Sequence, residues 1–127
     1  MAKILIVEDS KTTRMVLRSI LETEGHEIVG EATNGLEGFD MYMSLKPDMV
    51  TMDLNMPLVD GIACAERIKK KDPGAKILLI SANVQAQLMV DAAALGLNYH
   101  VPKPISEKML KNTVKCILEG EKPEENE

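Results

Sequence analysis

Aromatic side chains are nearly missing from this 127-residue chain, which has one Phe, two Tyr and no Trp. A core built without them is aliphatic, with nine methionines as adaptable filler. The scarcity argues against the stacking platforms on which single-stranded nucleic acid is bound. Positive charge is also in deficit. Fifteen Lys and Arg against twenty Asp and Glu leave a net charge of −5 and a pI of about 5.1, which disfavours binding of a phosphate backbone by bulk electrostatics. No apolar run approaches the roughly 18 residues of a membrane span. The stretch "MAKILIVEDS" is too briefly apolar, and too quickly acidic, for a signal peptide. Cys64 and Cys116 stand alone, without a CxxC or metal-ligand spacing. They read as reduced thiols of a cytoplasmic protein.

What remains is a globular composition, 45% apolar and 28% charged, at a length that suits one domain with a real core. Residues 1–120 are expected to form that domain, with "EKPEENE" at 121–127 as a solvated acidic tail. Apolar runs at "KILIV" (3–7), "HEIVGEA" (26–32), "DMVTM" (48–52), "KILLI" (76–80) and the shorter "NYHV" (98–101) read as strands. Helical periodicity fills the gaps. Met15, Leu17, Ile20 and Leu21 follow a Ser10 N-cap, with Gly25 at the far end. Asn34 caps a second helix, which ends before Lys46-Pro47. Asp60 caps a third, running to "KKKDPG"; a fourth covers roughly 85–95, closed by Gly96. The fifth starts at Ser106 and carries Leu110, Val114, Ile117 and Leu118.

Strict alternation of strand and helix predicts an α/β fold, a doubly wound parallel sheet flanked by five helices. The near-continuous apolar strands 1, 3 and 4 belong in the centre and the more polar 2 and 5 at the edges. Right-handed crossovers then give the order 2-1-3-4-5. The switch point falls between strands 1 and 3, where ligands bind at the carboxyl ends. Several polar residues gather there: Glu8, Asp9 and Ser10 after strand 1, Asp53 and Asn55 after strand 3, Ser81 and Asn83 after strand 4, and Lys103 within "PKP" after strand 5. Three carboxylates a few Å apart repel by on the order of a few kcal/mol per pair at an effective dielectric of about 20. Such a cluster protonates in part or binds a cation, and an all-oxygen set suits Mg²⁺. A carboxylate nucleophile, a divalent ion, an ammonium and a hydroxyl donor are the parts of a phosphoryl-transfer site. Asp53 therefore ends an apolar strand because it must be exposed at the switch point.

"LIVEDS", "TMDLNMPLVDG", "ISA" and "PKP", in this order and spacing, resemble the receiver domain of two-component response regulators, most closely the stand-alone chemotaxis kind. The resemblance covers about residues 2–119. It implies a flavodoxin-like fold. By resemblance, Asp53 takes a phosphoryl group from a histidine kinase's phosphohistidine. Glu8 (through water), Asp9, Asp53 and the backbone carbonyl of Asn55 hold Mg²⁺, or Mn²⁺. Ser81 is the switch hydroxyl, Lys103 the phosphate-side lysine, and Asn55 and Asn83 tune the lifetime of the phosphate. The bond before Pro104 is expected to be cis. His100 stands where the family usually has a rotating Tyr or Phe, while Tyr99 is expected to face the other way.

The resemblance further implies a cytoplasmic, monomeric signalling module rather than a turnover enzyme, with neither nucleic acid nor membrane as partner. Its partners would be a histidine kinase and a downstream target, a flagellar-motor or chemotaxis component or a phosphotransfer protein, met by the face of helix 4, strand 5 and helix 5. A phosphorelay intermediate is the alternative. An aspartyl-phosphate hydrolase would carry DxDx(T/V) after strand 1, where this chain has "VEDSKT". A flavin binder would need a hydroxyl-rich phosphate loop after strand 1 and aromatics against the ring, in a chain with one Phe, two Tyr and no Trp.

Overall fold

The apolar runs lie in parallel strands and the amphipathic stretches between them in helices. The computed structural model describes residues 1–56, 60–82 and 86–120. Its elements run β1 (Lys3–Val7), α1 (Lys11–Thr23), β2 (Glu27–Ala32), α2 (Gly35–Leu45), β3 (Met49–Asp53), α3 (Gly61–Lys71), β4 (Ile77–Ser81), α4 (Ala86–Ala94), β5 (His100–Pro102) and α5 (Glu107–Glu119). The single sheet has the order β2-β1-β3-β4-β5, parallel throughout, as expected for short strands joined by right-handed helical crossovers.

Side-chain alternation divides the core into two layers. Leu5, Val7, Val50, Met52 and Leu79 pack on one face with Tyr42 of α2, Cys64 and Ile68 of α3 and Ala92 of α4. Ile4, Ile6, Met49, Leu78, Ile80 and Val101 pack on the other with Leu17 and Leu21 of α1 and Leu110, Val114 and Ile117 of α5. The N-caps predicted at Ser10, Asn34, Asp60 and Ser106 are all present, each side chain accepting a backbone N–H from the first turn. Gly25 and Gly96 adopt positive φ at the ends of α1 and α4. Lys46 takes a left-handed cap after α2, which ends the helix just ahead of Pro47.

Two expectations need correction. Met15 does not belong to the buried stripe of α1, being 62% exposed. It lies two positions from Leu17, about 200° around the helix. The last strand is His100–Pro102 rather than 98–101. Its ladder to β4 uses the Tyr99 carbonyl (3.0 Å from Leu79 N) and the Lys103 N–H (3.0 Å from Ser81 O). The nitrogen of Pro102 faces the open edge, so the missing N–H costs the sheet nothing. Among the described residues no helix is long and apolar enough to cross a membrane.

Candidate functional site

The carboxyl ends of β1 and β3 lie side by side, with Val7 paired to Met52, so the residues that follow each strand meet. Along β1 even-numbered residues face α1 and α5, and along β3 odd-numbered ones do. Glu8 and Asp53 therefore project to the same side. Both are buried, Glu8 wholly and Asp53 to 2% exposure, which corrects the expectation that Asp53 stands exposed at the switch point, whereas Asp9 is exposed. Glu8, Asp9 and Asp53 each offer a carboxylate oxygen within 4.8 Å of the others.

Lys103 reaches this cluster from the end of β5. Its Nζ lies 3.2 Å from Glu8 Oε2 and 3.4 Å from Asp53 Oδ1. The Lys103–Pro104 peptide is cis, as the motif suggested. The Asn55 N–H also donates to Asp53 Oδ1, at 3.3 Å, and the Ser10 N–H to Glu8 Oε2, at 3.2 Å. Each acid is thus satisfied on one oxygen. Glu8 Oε1 and Asp53 Oδ2 are buried with no hydrogen-bond partner, a costly arrangement for ionised groups.

The protonation equilibria carry the same strain. Burial, then the charge of Asp53, push the Glu8 carboxyl up to about 7, against the pull of Lys103. Burial also raises Asp53, while Lys103 and the Asn55 N–H oppose it. Burial pulls the lysine down, but the charges and hydrogen bonds of Glu8 and Asp53 together raise it. Two orphaned buried oxygens beside a third carboxylate fit a small, hard divalent cation, which takes oxygen ligands and keeps several waters. Such an ion would supply the charge that one ammonium cannot.

The remaining predicted residues are placed as follows. Ser81 is buried at the end of β4, paired with Pro102. His100 pairs with Leu79 two residues earlier, so its ring shares the sheet face of Ser81. It is half-buried with Nε2 enclosed and unpartnered. Burial lowers its pKa, and a hydrogen bond to the Ser81 backbone opposes this. Tyr99 packs on the opposite face, against the α1/α5 layer. Asn55 is exposed beside Asp53. Asn83 lies outside the described residues, as do positions 57–59 of the "TMDLNMPLVDG" motif and the tail at 121–127.

Arg14 was not singled out from the sequence. Its Nη1 donates to the carbonyls of both Glu8 (2.8 Å) and Asp9 (3.2 Å). The available signal was a cation in the first turn of α1, where the helix dipole disfavours one.

The sequence pattern of the response regulator receiver domain matches residues 4–115. The chain belongs to that family, the phospho-accepting modules of two-component signalling. It is similar to the chemotaxis protein CheY of Thermotoga maritima, 43% identical over 102 residues that make up 80% of this chain and 85% of that protein. The CheY of Bacillus subtilis is 40% identical over 116 residues, 91% of this chain and 97% of the relative. Among solved structures, the CheX–CheY–BeF₃–Mg²⁺ complex from Borrelia burgdorferi superposes with a TM-score of 0.88 at 32% identity, over 91% of this chain and 87% of that one.

Proposed function

We propose that Asp53 is the phospho-acceptor of a chemotaxis-type response regulator. A carboxylate oxygen of Asp53 attacks the phosphorus of a kinase phosphohistidine. The P–N bond breaks, its electron pair returns to the imidazole, and an acyl phosphate remains. The observation that carries this reading is the state of Asp53: a carboxylate at a strand end, one oxygen held by Lys103 and Asn55, the other buried without a partner beside Glu8 and Asp9.

Glu8 (through water), Asp9 and Asp53, with the Asn55 carbonyl, would hold Mg²⁺ (or Mn²⁺), which would supply positive charge to offset that on the transferring group. Lys103 shifts from its acids to the phosphoryl oxygens, and Ser81 donates to one of them. Asn55 and Asn83 set the lifetime of the acyl phosphate. The signal leaves through α4, β5 and α5 to a chemotaxis or flagellar target. The protein works as a cytoplasmic, monomeric regulator, residues 1–120 forming its receiver domain, rather than as a turnover enzyme. The CheX complex of the Borrelia relative supports a protein partner as the reader of the phosphorylated state.

Acetyl phosphate with Mg²⁺ tests the reading directly. Wild type should gain one phosphoryl mass, and Asp53→Asn, which keeps the volume but lacks the anionic nucleophile, should gain none. Equal labelling of the variant would place the acceptor elsewhere.

A further inference from the structure

The β1–α1 turn must present two carboxylates in fixed directions, yet Asp9 is exposed and lies beyond the last paired residue of β1. Its backbone is instead fixed from α1. Arg14 Nη1 bonds the consecutive carbonyls of Glu8 and Asp9, at 2.8 and 3.2 Å. Its Nε bonds Glu31 Oε1 of β2 at 3.1 Å. The other oxygen of Glu31 accepts from Arg18 Nε at 2.7 Å, so the anchor is itself held. The Arg14 side chain is only 15% exposed.

This placement is not explained by helix stability. Arg14 is the fourth residue of α1, whose first turn contains no acid, and a cation near a helix N-terminus opposes the dipole. What the guanidinium does achieve is geometric. Bonding two successive carbonyls fixes the Glu8–Asp9 and Asp9–Ser10 peptide planes, which flank Asp9 and set the direction of its Cα–Cβ bond; for Glu8 the second plane is held by its own N–H on the Ala32 carbonyl, at 2.9 Å. A lysine cannot do the same, because a single point-charge head cannot span two carbonyls and a carboxylate as the planar fork does.

We propose that Arg14, anchored by Glu31, is a positioning residue that presets Glu8 and Asp9 for the cation. The inference rests on the reading of Glu8, Asp9 and Asp53 as a cation site. Mg²⁺ demands near-octahedral geometry, so loosening the turn weakens binding even though no ligand has been removed.

The sign of the effect separates positioning from charge. Removing a cation beside a cation site strengthens Mg²⁺ binding by Coulomb's law, whereas losing the clamp weakens it. Calorimetric titration of the metal alone into wild type, Arg14→Met, Arg14→Lys and Asp9→Asn decides between them. Arg14→Met should bind roughly tenfold more weakly, the lower end for groups that orient metal ligands. Arg14→Lys keeps the charge, so any loss there is geometric, and it serves if the methionine variant folds poorly. In the metal-free protein, amide exchange at Asp9 and Ser10 should speed up in both variants. Binding by Arg14→Met as tight as wild type or tighter, or unchanged affinity in Arg14→Lys, would overturn the proposal. Wild type that binds no better than Asp9→Asn would instead sink the cation site itself, and the proposal with it.

Discussion

Gly61 lies against the backbone of Asp53. A Cβ at Gly61 would overlap the Asp53 carbonyl oxygen and come within 2.7 Å of Leu54 Cα, and the Gly61 N–H donates to the Leu54 carbonyl at 3.2 Å. The first residue of α3 thus buttresses the peptide that carries the acceptor. The obstacle is backbone, which cannot rotate aside as a side-chain end would. Gly61→Ala should therefore cost about 1–3 kcal/mol, the usual range for overpacking. It should also slow acetyl-phosphate labelling by displacing Asp53. Urea midpoints and labelling rates check both. A variant as stable and as fast as wild type would mean that the backbone there yields freely.

The charge cluster predicts how the metal-free protein responds to pH. Glu8 is raised from 4.5 to about 7, mainly by burial. Below pH 4.5 it is protonated both folded and unfolded. Between the two values the unfolded chain ionises while the folded one keeps its proton. Its contribution to stability is thus complete at low pH and is lost as pH rises through about 7, at most about 3 kcal/mol for a shift of this size. In EDTA, wild type should lose stability across pH 4.5–7, and Glu8→Gln should lose less. Mg²⁺ affinity should climb over the same interval, because the ion needs the carboxylate. Parallel stability profiles for the two proteins would contradict the burial assigned to Glu8.

How much of this was readable beforehand follows from the range of each interaction. Strand order, the four caps and the meeting of Glu8, Asp9, Asp53 and Lys103 all follow from local pattern plus crossover handedness, and each is found. Arg14 and Glu31 lie 17 residues apart, and only the folded register of β2 beside β1 brings them together. Gly61 reads from sequence as an ordinary helix start; its contact with Asp53 exists only once the loop closes. Burial lowers the pKa of His100, and a three-residue edge strand gives no local sign of that burial.

Thr51 gives a prediction free of the chemistry. Its hydroxyl is buried without a partner, in register with Ile6 and Leu78. An unsatisfied buried hydroxyl costs about 1 kcal/mol or more. Thr51→Val keeps the β-branched shape and removes the orphan. The melting temperature should rise by a few degrees, about what 1 kcal/mol yields for a chain of this size. A fall would show that the hydroxyl has a partner in solution, such as water.

His100 carries the last prediction. Its ring shares a sheet face with Ser81 and has Nε2 enclosed, and burial lowers its pKa from 6.5. A histidine whose folded pKa is depressed contributes stability that is complete above pH 6.5 and lost as pH falls through the lower, folded value. The imidazolium must either leave its site or be buried as a cation. Wild type should therefore lose stability on acidification below 6.5 relative to His100→Tyr. The other histidine, His26, is present in both proteins and cancels in the difference. The same titration governs signalling under the proposed function. When Ser81 moves toward a phosphoryl oxygen, the neutral ring can follow into the vacated space, whereas the charged ring resists. Affinity of the beryllofluoride-activated protein for its target should then weaken as pH falls below 6.5, and His100→Tyr should lack that dependence while labelling at Asp53 stays unchanged. Urea midpoints and partner titrations between about pH 5 and 8, run on both proteins, supply the two comparisons. Superimposable curves in both would make His100 a bystander, leaving movement of the Ser81 loop as the route to the α4–β5–α5 face.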